Sequence, residues 1–223
     1  MHTFFDGFKL ISPSIPYILN GVWVALLIAI GGSVLGFFGG IILALCKLGR
    51  FGVISWLARA YTSVFRGTPM ILQLSIAYFG IPQVFHLGNV SPTTCAILTF
   101  GLNSSAYMSE IIRSGINAVD KGQFEASEAL GVSYWMAMRD IILPQAIKNI
   151  LPAMMNEFIT LTKDSALVST ITVTDMMRRA QIVGAQYYVY FQPMFVILIV
   201  YYVIVMFLTY LGDRLERRMS RGD

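Results

Sequence analysis

Residues 18 to 46 contain no Asp, Glu, Lys or Arg, and that single run narrows the possible folds more than any other feature of the chain. It exceeds the roughly 20 apolar residues that carry a helix across a bilayer. In hydrocarbon every backbone N–H and C=O must be satisfied inside the protein, which a helix does and an irregular segment does not. Further apolar stretches follow at about 54–80, 92–112, 147–171 and 191–211. With 56% hydrophobic and only 13% charged residues in 223, the chain is too apolar for an ordinary soluble domain. The expected fold class is all-α: an integral membrane helical bundle of about five transmembrane helices, one domain over 1–223, with spans at about 18–46, 54–80, 92–112, 147–171 and 191–211.

The runs differ in what they carry. The first holds Gly31, Gly32, Gly36, Gly39 and Gly40, whose small-xxx-small spacings let helix backbones approach closely. The second is interrupted by Phe65-Arg66-Gly67-Thr68-Pro69, where Gly and Pro predict a kink or local unwinding. The third carries Asn103, Ser104, Ser105, Tyr107, Ser109 and Glu110, and so many hydrogen-bonding groups predict a face turned to the bundle interior or a cavity. The fourth carries Asn156, Glu157, Thr160, Thr162, Lys163, Asp164 and Ser165. Residues 172–188 read as an amphipathic helix along an interface. Cys46 and Cys95 lie in apolar runs and suggest neither disulfide nor metal site. The net charge of +4 comes without a basic stripe interleaved with aromatics, so nucleic acid is not an expected partner. Lys47, Arg50, Arg59, Arg113, Lys121, Arg139, Lys148, Arg214, Arg217, Arg218 and Arg221 gather at alternate ends of the spans. By the positive-inside rule this puts the C-terminus and the 113–146 connection in the cytoplasm and the N-terminus outside.

That connection has its own grammar. Glu125, Ala126, Ser127, Glu128, Ala129 and Leu130 suit a short helix, Gly131 ends it where a left-handed backbone is cheap, Ser133 is placed to cap a second helix and Pro144 to stop it. Its apolar residues Phe124, Leu130, Tyr134, Trp135 and Met138 are more than so short an element buries alone. They predict packing partly on this chain and partly in a groove of another protein.

Glu125-Ala126-Ser127, Gly131 and Ile142-Leu143-Pro144 resemble the EAA loop of ABC-importer permeases, with Ser127 in place of Ala at the third position, one small residue for another. Phe65-Arg66-Gly67-Thr68-Pro69 with Gln73, then Ala106-Tyr107, Glu110 and Arg113, then Gly122-Gln123, Pro144-Gln145-Ala146 and Lys163-Asp164-Ser165, are similar in order to the polar amino-acid branch of that family. The resemblance implies a type I importer permease of the bacterial inner membrane, in which Glu125, Ala126, Ser127, Glu128, Gly131 and Pro144 form the helix that couples to an ATPase. It also implies the partners: a second permease subunit, identical or homologous, two ATP-binding cassette subunits and an extracellular amino-acid-binding protein, all at a lipid membrane. The chain has no G-x-x-x-x-G-K-[ST] phosphate loop, so ATP and Mg²⁺ are expected on the partner, with no cofactor and no enzymatic chemistry here.

Glu157 and Asp164 lie seven residues apart and therefore on one stripe of a helix, two turns from each other. Charges at membrane depth cost about 3 kcal/mol or more each. The pair requires a cation, water or protonation to compensate, and a cargo ammonium or cationic side chain would serve. Gln73, Asn103, Ser105 and Thr160 are the expected neutral contacts. Two readings compete: Asp164 paired only with Lys163 or Arg66, and Glu157 as an interfacial anchor. Glu110 and Arg113 suit either a local ion pair or a gate, and Arg66 either a gate or a helix-end anchor. A stand-alone carrier using the two carboxylates is the alternative function, and it has no need of the exposed helix pair.

Overall fold

The computed structural model describes residues 4–48 and 52–220; Arg50 and Arg221, used above for orientation, lie outside them. The chain is helical almost throughout, with no strand among the described residues. Helices α1 (Phe4–Ile11) and α2 (Ile15–Leu19) flank a 3₁₀ turn and lead into α3 (Val22–Leu48). Then come α4 (Gly52–Gly67), α5 (Met70–Ser75), a π turn at Ile76–Gly80 and α6 (Ile81–Phe85). Helix α7 (Pro92–Asn117) precedes the short α8 (Lys121–Ala129) and α9 (Tyr134–Ala137). A π turn at Met138–Ile142 joins α9 to α10 (Leu143–Asp164), which tightens into a 3₁₀ helix at Ser165–Ile171. Helices α11 (Met176–Tyr187) and α12 (Phe191–Ser220) complete the chain.

Helices α3 and α7 are the closest pair. A Cβ on Gly32 would lie 2.7 Å from Phe100 Cβ and one on Gly36 2.5 Å from Ser104 Cβ, while one on Gly40 would collide with Met108. The contacts advance by four residues on both helices together, so α3 and α7 run in the same direction, their backbones meeting along the glycine stripe. The polar residues of α7 face inward: Thr99, Asn103, Ser104, Ser105 and Ser109 are all buried. The stretches Asp6–Leu48 and Phe191–Met219 are each long and apolar enough by themselves to cross a membrane. Helices α7 and α10 have the length but hold polar groups that the bundle covers, and α4 to α6 are divided.

Three apolar cores lie along the bundle. Phe100, Leu74, Ile28 and Leu161 form the middle one; Ile11, Ile18, Met176 and Val183 tie α1, α2 and α11 to α12 at one end; Val119, Ile142, Ala146 and Ile150 seal the end that carries α8 and α9. Next to Met176 of the second core, Asp175 is fully buried and caps α11 by accepting from Met177 N (3.2 Å) and Arg178 N (2.9 Å). Burial pushes its carboxyl up to about 6 against the opposing pull of those N–H groups. The folded chain therefore holds a proton that the unfolded chain releases near pH ~4. This contribution to stability is complete below about pH 4 and lost as pH rises through about 6. Asp175→Asn retains an acceptor oxygen without a charge. The wild-type melting temperature is expected to fall between about pH 4 and about pH 6 and to level off above that, while that of the variant stays flat; parallel pH profiles would show that Asp175 is not responsible.

Candidate functional site

The helix break at Thr68-Pro69 builds one wall of the site. Pro69 has no N–H, so the Phe65 carbonyl loses its i+4 partner, and Pro69 itself is extended (φ −64°, ψ 137°). The Gln73 amide closes the gap: Nε2 donates to Phe65 O (2.9 Å), Thr68 O (3.1 Å) and Thr68 Oγ1 (2.9 Å). Asn103 Nδ2 donates to Phe65 O (3.1 Å) and to Gln73 Oε1 (2.9 Å), which ties the break to α7. Both ends of the Gln73 amide are thus engaged in the frame. Thr68 Oγ1 in turn donates to Val64 O (2.8 Å).

Below the break lies a cavity of about 280 Å³ bordered by Thr68, Asn103, Tyr107, Glu157, Thr160 and Asp164, with Pro69, Met70 and Leu161 completing the lining. Its size suits one small solute, lying just under the roughly 300 Å³ at which pockets for drug-sized ligands begin. The helical stripe read from the seven-residue spacing brings both carboxylates to this one space. Asp164 has no ion-pair partner among the described residues, and Lys163 is exposed. Beside the Glu157 carboxyl is the fully buried Ser104 hydroxyl. Thr160 Oγ1 donates to Asn156 O (2.9 Å), leaving its lone pairs for a donor in the cavity.

Of the six residues expected to contact cargo, Asn103, Glu157, Thr160 and Asp164 border this cavity; Gln73 and Ser105 do not. Ser105 Oγ bonds Leu102 O (2.7 Å) and the Tyr61 hydroxyl (2.9 Å), bracing α4 against α7. Glu110 forms a local pair with Arg113 (2.8 Å), one of the two readings of these residues, and a second with Lys47 Nζ (2.7 Å), whose side chain is 5% exposed. Lys47 also donates to Ser109 Oγ (2.8 Å). The Lys47–Glu110 bond joins α3 to α7, and partners so far apart in sequence leave no local signal of it. Arg66 meets neither carboxylate within ion-pair distance; its guanidinium lies 5.4 Å from the Tyr107 ring centroid.

At the far end of α7 the α8–α9 hairpin stands out from the bundle. Asp120 Oδ1 caps α8 through Gly122 N (2.6 Å), and Gly131 (φ +72°) closes it. The bonds Gly131 N to Glu128 O (3.0 Å) and Val132 N to Ser127 O (2.9 Å) form the paired pattern of a helix stopped by a left-handed residue. Two expectations need correction. Ser133 occupies the cap position of α9 but its side chain makes no capping bond. Pro144 does not stop the second helix: the helix continues from α9 into α10, because the π turn at Met138–Ile142, closed by Leu143 N to Met138 O, absorbs the donor that Pro144 lacks. Phe124 and Met138 pack on the third core, and Ser127 is buried with its hydroxyl donating to Gln123 O (2.6 Å). Leu130 (82%), Trp135 (79%) and Tyr134 (61%) remain exposed, with Glu125, Ala126 and Glu128 beside them. The Arg139 guanidinium holds the Asp140 carboxyl (2.7 Å) below the usual range, an exposed pair of little consequence for stability.

A bundle with a divided helix, a small acidic cavity and a projecting hairpin, but no nucleotide loop, defines a transport subunit. Residues 36–221 match the model of the family described as binding-protein-dependent transport system inner membrane component, and the chain belongs to that family as the permease of an ABC importer. The arginine transport system permease protein ArtQ of Bacillus subtilis strain 168 is 49% identical over 211 residues, 95% of this chain and 96% of that protein. A relative from Rickettsia typhi with the provisional name glutamine transport system permease protein GlnP is 45% identical over 207 residues, 93% of this chain and 94% of its own. The crystal structure of an amino acid ABC transporter with histidines superposes with a TM-score of 0.91 at 40% identity, covering 95% of this chain and 98% of that one. The importer reading thus prevails over the stand-alone carrier.

Proposed function

We propose that the cavity receives the ammonium group, or a cationic side chain, of a polar amino acid on its way across the cytoplasmic membrane. The observation that carries this reading is the meeting of Glu157 and Asp164 in one space with Asn103 and Thr160 and with no base paired to Asp164 among the described residues. Carboxylates in a low-dielectric bundle require compensation by a cation, water or protonation, and an amino acid supplies the cation. The acidic lining fits Arg, Lys or His, although the same carboxylates would equally hold the amino group that every amino acid carries. Gln73 and Ser105 act in this account through the frame, by holding the helix break and α4.

The family membership supports the rest of the machinery as part of the same proposal. A chain of this size forms half of a pathway, so a second permease subunit, identical or homologous, faces it. Two ATP-binding cassette subunits bind ATP and Mg²⁺ and receive the α8–α9 hairpins through Glu125, Ala126, Ser127, Glu128 and Gly131, with Pro144 at the hairpin's root. An extracellular amino-acid-binding protein delivers cargo at the opposite end. The N-terminus lies outside and the C-terminus in the cytoplasm. Closure of the ATPases on ATP moves the hairpins and switches the bundle between outward and inward openings.

The test is amino-acid-stimulated ATPase activity and uptake in proteoliposomes of the whole importer. Asp164→Asn is expected to raise the cargo concentration for half-maximal activity roughly ten-fold, the worth of one charge-assisted hydrogen bond, and Glu157→Gln combined with it to abolish stimulation, with complex assembly intact. Wild-type concentration dependence in the double variant would refute the cavity as the cargo site.

A further inference from the structure

We infer that Arg66, stacked on Tyr107, is a charge filter inside the permease, one that passes solutes bringing their own carboxylate and turns back bare cations drawn in by Glu157 and Asp164. This rests on the proposed role of the acidic cavity and adds a residue that the role does not include.

The geometry is that of two adjoining spaces with one wall in common. Tyr107 borders the acidic cavity and also a cleft of about 450 Å³ on the side toward the hairpin, where Arg66, Glu110 and Asn149 are among its neighbours. The sign of the charge changes across that wall. In the cavity stand two carboxylates, neither in an ion pair among the described residues. In the cleft the one carboxylate, Glu110, is already matched by Lys47 (2.7 Å) and Arg113 (2.8 Å), so the Arg66 charge is in excess. Arg66 makes no ion pair or hydrogen bond among the described residues, is exposed, and is placed by the face of the Tyr107 ring at 5.4 Å. A guanidinium lying on an aromatic face keeps its N–H edge available.

Such a sequence of charges answers a difficulty in the acidic cavity itself. Two unpaired carboxylates would also attract sodium or potassium, and a pathway that let these through would dissipate the membrane potential. A fixed positive charge at the next step raises the barrier for any bare cation. An amino acid differs because its carboxylate can meet the Arg66 fork in two parallel hydrogen bonds as its ammonium leaves the acidic pair. The filter therefore selects for a zwitterionic head and leaves the side chain to other contacts.

Arginine and agmatine, the same molecule without its carboxylate, separate these ideas. Their binding is measured on the permease–ATPase complex without the binding protein, and passive rubidium influx on proteoliposomes of that complex. The wild type is expected to bind arginine roughly ten-fold or more tightly than agmatine, and Arg66→Gln to lose that preference because arginine binding weakens. Arg66→Gln is also expected to admit rubidium roughly ten-fold faster, and Arg66→Lys, which keeps the charge, to remain tight. Size-exclusion elution and ATPase content confirm assembly of each variant. An Arg66→Gln complex that still prefers arginine and remains tight to rubidium overturns the filter. If Asp164→Asn in the same assay leaves both ligands bound as in the wild type, the acidic cavity is not the site and the filter falls with it; if Asp164→Asn weakens both equally while Arg66→Gln is silent, only the filter falls.

Discussion

Trp135→Ala combined with Glu125→Lys is expected to reduce ATP-driven uptake to the level of empty liposomes without unfolding the permease. The hairpin exposes Leu130, Tyr134 and Trp135 at 82%, 61% and 79%. Aromatic residues at the centre of an interface commonly cost about 2 kcal/mol or more on truncation, which weakens ATPase capture roughly 30-fold for each anchor lost. The charge reversal places a base where a carboxylate is expected to face the partner, which adds repulsion to the lost contact. Neither side chain supports the fold: the hairpin is held by Phe124 and Met138 on the third core, by the Asp120 cap and by the turn at Gly131. Substitutions at such exposed positions usually move stability by less than about 0.5 kcal/mol. Pull-down of the ATPase and thermal melting of the isolated permease read the two quantities separately. Undiminished pull-down and uptake would exclude the hairpin as the coupling element; a collapsed melting temperature would mean that it is part of the core.

Gly36→Leu is expected to prevent formation of the native bundle. A Cβ there lies 2.5 Å from both Ser104 Cβ and Ser104 Oγ and 3.2 Å from the Ser104 carbonyl carbon, and the neighbouring glycines meet Phe100 and Met108 in the same way. Because the obstruction includes backbone, no rotamer change relieves it, and α3 and α7 must separate. Overpacking alone costs about 1–3 kcal/mol, and here the loss of the central helix contact is added, so the effect should exceed about 4 kcal/mol. Gly36→Ala is expected to fall between, and Gly52→Ala, which has nothing within 4 Å, to be neutral. Monodisperse yield after detergent extraction and the melting temperature measure the series. A Gly36→Leu protein that elutes and melts like the wild type would show that the two helices do not touch along this stripe.

Several features of the site were readable from the residues alone. The seven-residue spacing of Glu157 and Asp164 puts them on one helix stripe whatever surrounds the helix. Gly67 and Pro69 break α4 from α5 for reasons internal to the backbone, and Gly131 takes a positive φ that other residues resist. Other features were hidden because they depend on which face of a helix meets which neighbour. Asn103 and Ser105 are two residues apart, about 200° around α7. Asn103 therefore reaches the cavity and the helix break while Ser105 turns to Tyr61. Gln73 reads as a cargo ligand in the sequence and serves as a patch for the Phe65 carbonyl in three dimensions.

By itself the sequence determined the class: apolar runs too long for anything but spanning helices, a glycine stripe, a broken helix, and a polar hairpin with more apolar surface than it can bury. These are local properties, set by backbone chemistry and by the cost of placing polar groups in lipid. Only the tertiary structure decided the partners. Lys47 pairs with Glu110 across α3 and α7, Arg66 stacks on Tyr107 and leaves Asp164 without a base, and the π turn carries α9 through Pro144 into α10. The reason is geometric: a charge or an amide has the same chemistry at any position, but what it compensates is set by the side chain that the packing of another helix brings within about 3 Å of it.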